Sequence, residues 1–159
     1  MKYKRKKGQS FVKAKKHTYK GVEYKSGLEL YAAKAFDSAA IPFQYEPDKF
    51  ILQEGYKVKE ELYERQGNGK GDFKNRGSRK ILPLTYKPDF VGANFICETK
   101  GFAGEAFPIR WKLFLKQITE GHDERLMIFK PQSQGDVDEM IKVILSKPSE
   151  GYYFKHKKQ

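Results

Sequence analysis

Apolar residues recur at helical spacing in three parts of the chain. The first set follows Ser26-Gly-Leu-Glu29, a capping-box sequence, and extends from Leu28 to Ala39. The second and third sets are Trp111, Phe114, Leu115 and Ile118, and then Val137, Met140, Ile141, Ile144 and Leu145. These patterns predict three helices, the first of which ends before Pro42.

Short apolar segments between the predicted helices indicate strands. They are residues 43–45, 49–52, 81–87, 95–99 and 126–129. Asp89-Phe90-Val91 leads into residues 95–99 through Gly92-Ala93-Asn94, which favours a hairpin. Residues 56–63 fit a strand or a short helix, and residues 152–154 fit a late edge strand. The order helix, antiparallel strands, helix, strand, helix predicts an α/β fold, with a mixed central sheet and helices on its faces.

A polar stretch separates two of the predicted strands, from Gln53 to Lys80. It contains Gly67, Gly69, Gly71 and Gly77, and we interpret it as a long insertion between the strands. Its segment Gly67-Asn-Gly-Lys-Gly71 has the glycine content of a phosphate-binding loop. No apolar strand precedes that segment and no Lys-Ser/Thr pair ends it, so a flexible basic loop is the better interpretation.

The positive charge of the protein is concentrated at its two ends. The chain has 159 residues, about one domain, and a formal net charge of +12. Residues 1–20 contain nine Lys/Arg and residues 151–159 contain three, with no acid in either, so residues 21–150 carry 20 basic and 20 acidic side chains. We predict two basic flexible arms flanking one domain at 21–150. The residues of the first arm that we expect to bind DNA phosphates are Lys4, Arg5, Lys6, Lys7, Lys13, Lys15 and Lys16. A solubility tail and a targeting sequence are the alternative interpretations of this arm.

Several protein classes are disfavoured by the composition. No segment approaches about 18 consecutive apolar residues, and the basic N-terminus has no apolar stretch behind it, so we expect neither a membrane protein nor a secretory signal. Cys97 is the single cysteine and cannot form an internal disulfide. We therefore expect the cytoplasm. His17, His122 and His156 show no zinc-binding spacing, which argues against a zinc hydrolase.

Candidate catalytic residues cluster around the predicted hairpin. Side chains alternate along a strand, so Glu98 and Lys100 project to the same side. If the hairpin brings Asp89 beside them, two carboxylates and one ammonium group converge. Carboxylate oxygens bind Mg²⁺, and such a cluster can support hydrolysis of a phosphodiester. The alternative is an exposed strand whose charges form surface ion pairs.

The residues Pro88-Asp89 and Glu98-Thr99-Lys100 resemble the PD-(D/E)-x-K nuclease superfamily, which has a restriction-endonuclease-like core. The chain is most similar to the phage endonuclease I family of Holliday-junction resolvases, and to small phage proteins of the same superfamily. The matching blocks are Tyr24-Lys-Ser-Gly-Leu-Glu29, Ile41-Pro-Phe-Gln-Tyr-Glu46, Thr85-Tyr-Lys-Pro-Asp-Phe90 and Phe95-Ile-Cys-Glu-Thr-Lys-Gly101. The resemblance covers roughly residues 22–130.

This resemblance implies a two-metal site that takes Mg²⁺, with Mn²⁺ able to substitute. Asp89 would contact both ions, and Glu98 with the carbonyl of Thr99 would hold one of them. Glu29 would complete the other site, and Lys100 would assist the nucleophilic water. Glu29 also has a simpler interpretation, because Glu is favoured at this position for capping alone.

The resemblance further implies a homodimer that cleaves branched DNA. The polar insertion at 53–80 is longer than the resolvase pattern, in which the corresponding segment helps to intertwine two subunits. Arg110, Lys112 and Lys116 on the second predicted helix either contact DNA phosphates or form its solvated face. The alternatives are a nuclease for nicks, ends or specific duplex sites, and a non-catalytic DNA-binding protein.

Overall fold

The computed structural model describes residues 15–47, 49–65, 69–101, 106–121 and 125–154. Outside these ranges lie the C-terminal arm beyond residue 154 and most of the predicted DNA-binding residues of the N-terminal arm, namely Lys4, Arg5, Lys6, Lys7 and Lys13. The helices are α1 (Gly27–Ser38), α2 (Phe107–Glu120) and α3 (Gln134–Ser146). None of them is long and apolar enough to cross a membrane.

The strands of the described ranges are short. They are β1 (His17–Tyr19), β2 (Val22–Tyr24), β3 (Phe43–Tyr45), β4 (Phe50–Gln53), β5 (Tyr56–Val58), β6 (Tyr63–Glu64), β7 (Lys74–Asn75), β8 (Arg79–Ile81), β9 (Leu84–Tyr86), β10 (Phe90–Gly92), β11 (Phe95–Cys97) and β12 (Met127–Phe129). A central sheet has the order β12-β11-β10-β3. β11 and β12 are parallel, and the other two pairs are antiparallel. The prediction of a mixed α/β fold is confirmed at this level.

The first helix begins where the capping box predicts. Ser26 Oγ accepts a hydrogen bond from the backbone N–H of Glu29 at 3.2 Å. The Glu29 side chain accepts from the Ser26 hydroxyl at 2.9 Å and from the backbone N–H of Lys25 at 2.9 Å. The bond from Glu29 N–H satisfies one of the backbone N–H groups that the first helical turn leaves without partners, and the other two fix the chain that enters the helix. The helix ends at Ser38, before Pro42, as predicted.

The central sheet separates two apolar clusters, as expected when side chains alternate between its faces. On one face, Phe90 and Phe95 pack with α1 and α3, and the buried residues there include Phe36. On the other face, Ile96 packs with Phe114 of α2. Helices therefore cover both faces of the sheet, which confirms the predicted layering.

The end of the described chain differs from the prediction. Residues 152–154 do not form a strand. The Phe154 backbone N–H donates a single hydrogen bond to Ala93 O at 2.6 Å, and the Phe154 ring stacks on Phe50 at 6.4 Å. The Tyr152 backbone N–H donates within its own turn, to Ser149 O at 2.8 Å. Residues 152–154 therefore lack the repeated cross-strand bonds of a strand ladder, and the ring stacking helps to hold them in place.

The polar insertion is also more ordered than predicted. β5 pairs with β8, and β6 with β7, so that a nested two-stranded ribbon continues the β4–β9 pair. The predicted strand at 81–87 is interrupted at Leu82 and Pro83, because Pro cannot donate a ladder hydrogen bond. At the same break, a Cβ on Gly55 would lie 2.8 Å from the carbonyl oxygen of Ile81, so this close approach requires glycine.

The folded chain also begins earlier than the predicted boundary at residue 20. β1 and β2 form an antiparallel hairpin, and its first strand contacts α1. Lys16 pairs with Glu23 across this hairpin at 2.7 Å. Residues 17–20 therefore belong to the folded part of the chain rather than to the basic arm.

Gly92 of β10 has no space for a side chain. A methyl group there would lie 2.0 Å from a ring carbon of Phe95, which is buried and stacks on Phe36 at 5.2 Å. We expect Gly92→Ala to lower the free energy of unfolding by about 1–3 kcal/mol, measured by urea denaturation. Gly135→Ala is the control, because the nearest atom to its new methyl is Ser133 Oγ at 3.8 Å. That variant should be at least as stable as the wild type, and equal stability of the two variants would contradict the packing argument.

Candidate active site

The register of the β10–β11 hairpin brings the two predicted acids together. Phe90 pairs with Cys97, so Asp89 and Glu98, the next residues outward, lie opposite each other at the end of the ladder. Both line a cleft of about 890 Å³, which Glu29 and Lys100 also line. The structure therefore places all four of the residues predicted to be catalytic around one cleft.

Asp89 is held by the residue that follows Glu98. Its Oδ2 accepts hydrogen bonds from the backbone N–H of Thr99 at 2.8 Å and from the Thr99 hydroxyl at 2.6 Å. Burial raises the pKa of Asp89 to about 7, and the negative charge of Glu98 adds to this effect. The two bonds from Thr99 act in the opposite direction, because they stabilise the ionised carboxylate.

Glu98 is 5% exposed and has two polar neighbours. Its Oε2 accepts a hydrogen bond from the Tyr86 hydroxyl at 2.7 Å, and Lys100 Nζ lies 3.7 Å from its Oε1. Burial raises the pKa of Glu98, although Tyr86 and Lys100 both favour its ionised form. The ion pair confirms that Glu98 and Lys100 project to the same side.

The backbone around Glu98 is fixed by the neighbouring strand. The N–H of Glu98 donates to Phe129 O at 3.0 Å, and the N–H of Lys100 donates to Pro131 O at 2.9 Å. The ammonium group of Lys100 lies 4.5 Å from the centre of the Phe107 ring at the start of α2. Lys100 is thus positioned by a carboxylate and an aromatic face together.

Glu29 has a capping role and also faces the cleft. In addition to its contacts with Lys25 and Ser26, its Oε2 accepts a hydrogen bond from the Tyr45 hydroxyl at 2.6 Å. Burial raises the pKa of Tyr45, and the nearby Glu29 adds to the shift. Glu29 is 7% exposed, so the same buried carboxylate caps α1 and lines the cleft.

Basic side chains lie around the opening of the cleft. Glu46 pairs with Lys25, and Lys87 Nζ lies 3.8 Å from its other oxygen. Lys49 and Arg110 are exposed and also line the cleft. These cations provide a positive rim around an acidic centre.

The three basic residues predicted on α2 are separated by the structure. Arg110 lines the cleft, whereas Lys112 and Lys116 are exposed on the side of α2 away from buried Phe114. Lys116 lies 3.6 Å from Glu120, one turn along the helix. Of the three, only Arg110 borders the candidate site in the described structure.

The cleft provides donors of the type that a hard divalent cation prefers. Among the described residues, no three His, Cys, Asp or Glu side chains are close enough to form a metal cluster as they stand. The chemistry nevertheless fits such an ion, because four carboxylates line the cleft, those of Glu29, Glu46, Asp89 and Glu98. Burial raises the pKa of Asp89, and the negative charge of Glu98 adds to the shift. Glu29, Asp89, Glu98 and the predicted ligand Thr99 all line the cleft.

Two tyrosines of the site were not singled out by sequence. Tyr86 is buried and donates to Glu98, and Tyr45 donates to Glu29. The signal available in the sequence was their place within the two apolar segments next to the candidate acids, since a buried tyrosine hydroxyl normally requires a partner. Both orient a carboxylate without adding charge.

Comparison with protein families, curated proteins and solved structures finds no match for this chain. A functional assignment therefore depends on the chemistry of the cleft itself.

Proposed function

We propose that this protein is a Mg²⁺-dependent endonuclease that hydrolyses phosphodiester bonds in DNA, with a PD-(D/E)-x-K site on a restriction-endonuclease-like core. The observation that carries this proposal is the placement of Asp89 opposite Glu98 in one cleft, with Lys100 paired to Glu98. An acidic centre that repels itself favours a bound cation, and a basic rim favours a polyanionic substrate.

Each polar residue of the cleft has a role in this proposal. Asp89 would contact two Mg²⁺ ions, or Mn²⁺ in their place. Glu98 and the Thr99 carbonyl would hold one of them, and Glu29 would complete the site of the other. Metal bound at these residues would supply an activated water and would neutralise charge on the phosphate. The hydrogen bonds from Thr99 keep the Asp89 carboxylate oriented during this chemistry.

Lys100 acts on the water and the phosphate. Its ammonium group lies beside Glu98 Oε1 and over the Phe107 ring, so it can orient the attacking water or stabilise charge on the phosphate. Lys49 and Arg110 border the same cleft and contact the DNA backbone in this proposal. The basic terminal arms add further phosphate contacts, and the protein acts in the cytoplasm.

A non-catalytic DNA-binding protein is the main alternative from a different class. Such a protein would require a basic surface but would not require buried carboxylates. Asp89 and Glu98 face the same cleft with little exposure, and burying ionised groups lowers the stability of the fold. Buried carboxylates that lower the stability of the fold therefore favour a catalytic protein over one that only binds DNA.

We expect a preference for branched DNA, because the resemblance to endonuclease I implies a homodimer with one site per subunit. A dimer can hold a four-way junction and cut two strands, whereas a monomer leaves single nicks. Sedimentation at micromolar concentration should show a dimer, and the junction should bind at least about tenfold more tightly than a linear duplex, roughly 1.4 kcal/mol.

The test is cleavage of a four-way junction and of a matched linear duplex, with Mg²⁺ and with chelator. Cleavage of either substrate that requires Mg²⁺ supports the nuclease. Equal affinities together with a monomeric mass would reject the resolvase and leave an endonuclease for nicks, ends or duplex sites. The absence of cleavage on both substrates would reject the proposed function.

A further inference from the structure

The ribbon formed by β5, β6, β7 and β8, residues 56–81, is a charged extension of the cleft. It continues from the β4–β9 pair, in which Thr85 and Tyr86 line the cleft. The sequence of the ribbon contains eight Lys/Arg and four Asp/Glu, whereas residues 21–150 as a whole are neutral. The ribbon is therefore a positive segment of a domain that otherwise carries a net negative charge.

The strongest charge feature of the ribbon is a pair of lysines. Lys57 and Lys80 are direct partners in the antiparallel ladder between β5 and β8. Side chains at such positions project to the same face with Cβ atoms about 5 Å apart, and like charges placed there destabilise the ladder. Both lysines are exposed, so they face solvent beside each other.

The carboxylates nearest along the ribbon have other partners. Glu64 pairs with Arg79, which lies on the opposite face of β8 from Lys80. Glu60 accepts from the backbone N–H of Lys59, and Glu61 accepts from the Tyr63 hydroxyl at 3.4 Å. No ion pair within the described ranges includes Lys57 or Lys80. Two adjacent positive charges thus remain without a counterion from the described part of the chain.

Exposed aromatic rings lie further along the same ribbon. Tyr63 is 54% exposed and Phe73 is 63% exposed, and their ring centres are 6.3 Å apart. Cations interleaved with exposed aromatic rings are typical of nucleic-acid-binding surfaces. A two-stranded ribbon is also narrow enough to enter the major groove of B-DNA.

We propose that the ribbon is a second DNA-binding element, in which Lys57 and Lys80 bind backbone phosphates of the duplex beyond the cleft. The inference rests on the proposed function for the identity of the polyanion. A phosphate between the two ammonium groups removes the repulsion that the free ribbon retains. The ribbon then extends the DNA footprint without taking part in the chemistry.

The test is the double variant Lys57→Gln/Lys80→Gln, studied by fluorescence anisotropy with a 30-base-pair duplex in chelator. Two lost phosphate contacts should reduce the slope of log affinity against log salt by about 1.8 and weaken binding about tenfold or more near 0.1 M salt. The single-turnover cleavage rate at saturating enzyme should not change, because neither lysine lines the cleft. The thermal midpoint should stay equal or rise as repulsion is removed.

The matched control is Lys142→Gln/Lys147→Gln, which removes the same charge from α3 and from the residue that follows its end. This helix packs on α1. The control variant should leave the salt slope nearly unchanged. An unchanged slope in the ribbon variant would overturn the inference, and so would an equal loss in both variants, which would reflect net charge alone. Wild-type protein that binds DNA but cleaves neither a junction nor a duplex would contradict the proposed function. The salt slope of the ribbon variant would still decide whether Lys57 and Lys80 bind phosphates.

Discussion

Glu98→Gln is expected to reduce DNA cleavage by about two to four orders of magnitude while DNA binding survives. The amide keeps the shape and can still accept from the Tyr86 hydroxyl, but it loses the negative charge that would hold a divalent ion. It also loses the ion pair with Lys100, so the ammonium group is no longer positioned at 3.7 Å. Binding should be equal or tighter, because a negative charge facing the phosphates is removed.

The measurement is single-turnover cleavage at saturating Mg²⁺, with DNA affinity determined in parallel. Glu139→Gln is the control, since Glu139 pairs with Lys142 on the surface of α3. This variant should cleave DNA at the wild-type rate. Comparable turnover by Glu98→Gln would reject the catalytic assignment. Glu29→Gln distinguishes the capping role of Glu29 from its proposed role as a metal ligand. If Glu29 only caps α1, the substitution should change the stability of the protein without changing the Mg²⁺ dependence of cleavage.

The stability of the metal-free protein is expected to decrease as the pH rises from about 4 to about 7. Asp89 has a pKa of about 7 in the folded protein, against an ordinary value near 3.9 in an unfolded chain. Between these values the folded state binds more protons than the unfolded state, so the free energy of unfolding falls with pH. Glu98, whose pKa is also raised by burial, contributes in the same direction. The expected loss is of the order of 2–4 kcal/mol.

The measurement is urea denaturation in chelator at several pH values, for the wild type and for Asp89→Asn. The difference between the two proteins isolates Asp89, because Asp37 and Asp136, whose pKa values are lowered by their hydrogen bonds, are present in both. The variant should be more stable than the wild type above pH 7 and should lose this advantage near pH 4. Mg²⁺ should stabilise the wild type more than the variant. A parallel pH dependence in the two proteins would contradict a raised pKa of Asp89 in the folded state.

The sequence by itself was sufficient for the three helices and for the hairpin that carries the acids. These signals are local: a Ser26 cap, an apolar repeat within one element, and a hairpin in which Asp89 and Glu98 are nine residues apart in the chain. Strand alternation likewise placed Lys100 beside Glu98. Residues this close in the chain are positioned by backbone geometry, which the order of residue types reflects directly.

The ribbon was not predictable in the same way. Its strands are two or three residues long and largely polar, so they show no alternation of apolar and polar positions. They form because Tyr56 pairs with Ile81 across a long stretch of chain, as a continuation of β4 and β9. Lys57 and Lys80 become cross-strand neighbours only through this pairing register.

Only the tertiary structure decided which polar groups support the site. Tyr45 reaches Glu29 because the edge strand β3 lies next to α1, and Tyr86 reaches Glu98 from a strand outside the central sheet. The packing of α2 likewise placed Arg110 at the cleft and left its neighbouring lysines in solvent. Such contacts depend on how whole elements bury their apolar faces, and periodicity within one element contains no information about the partner that it will meet.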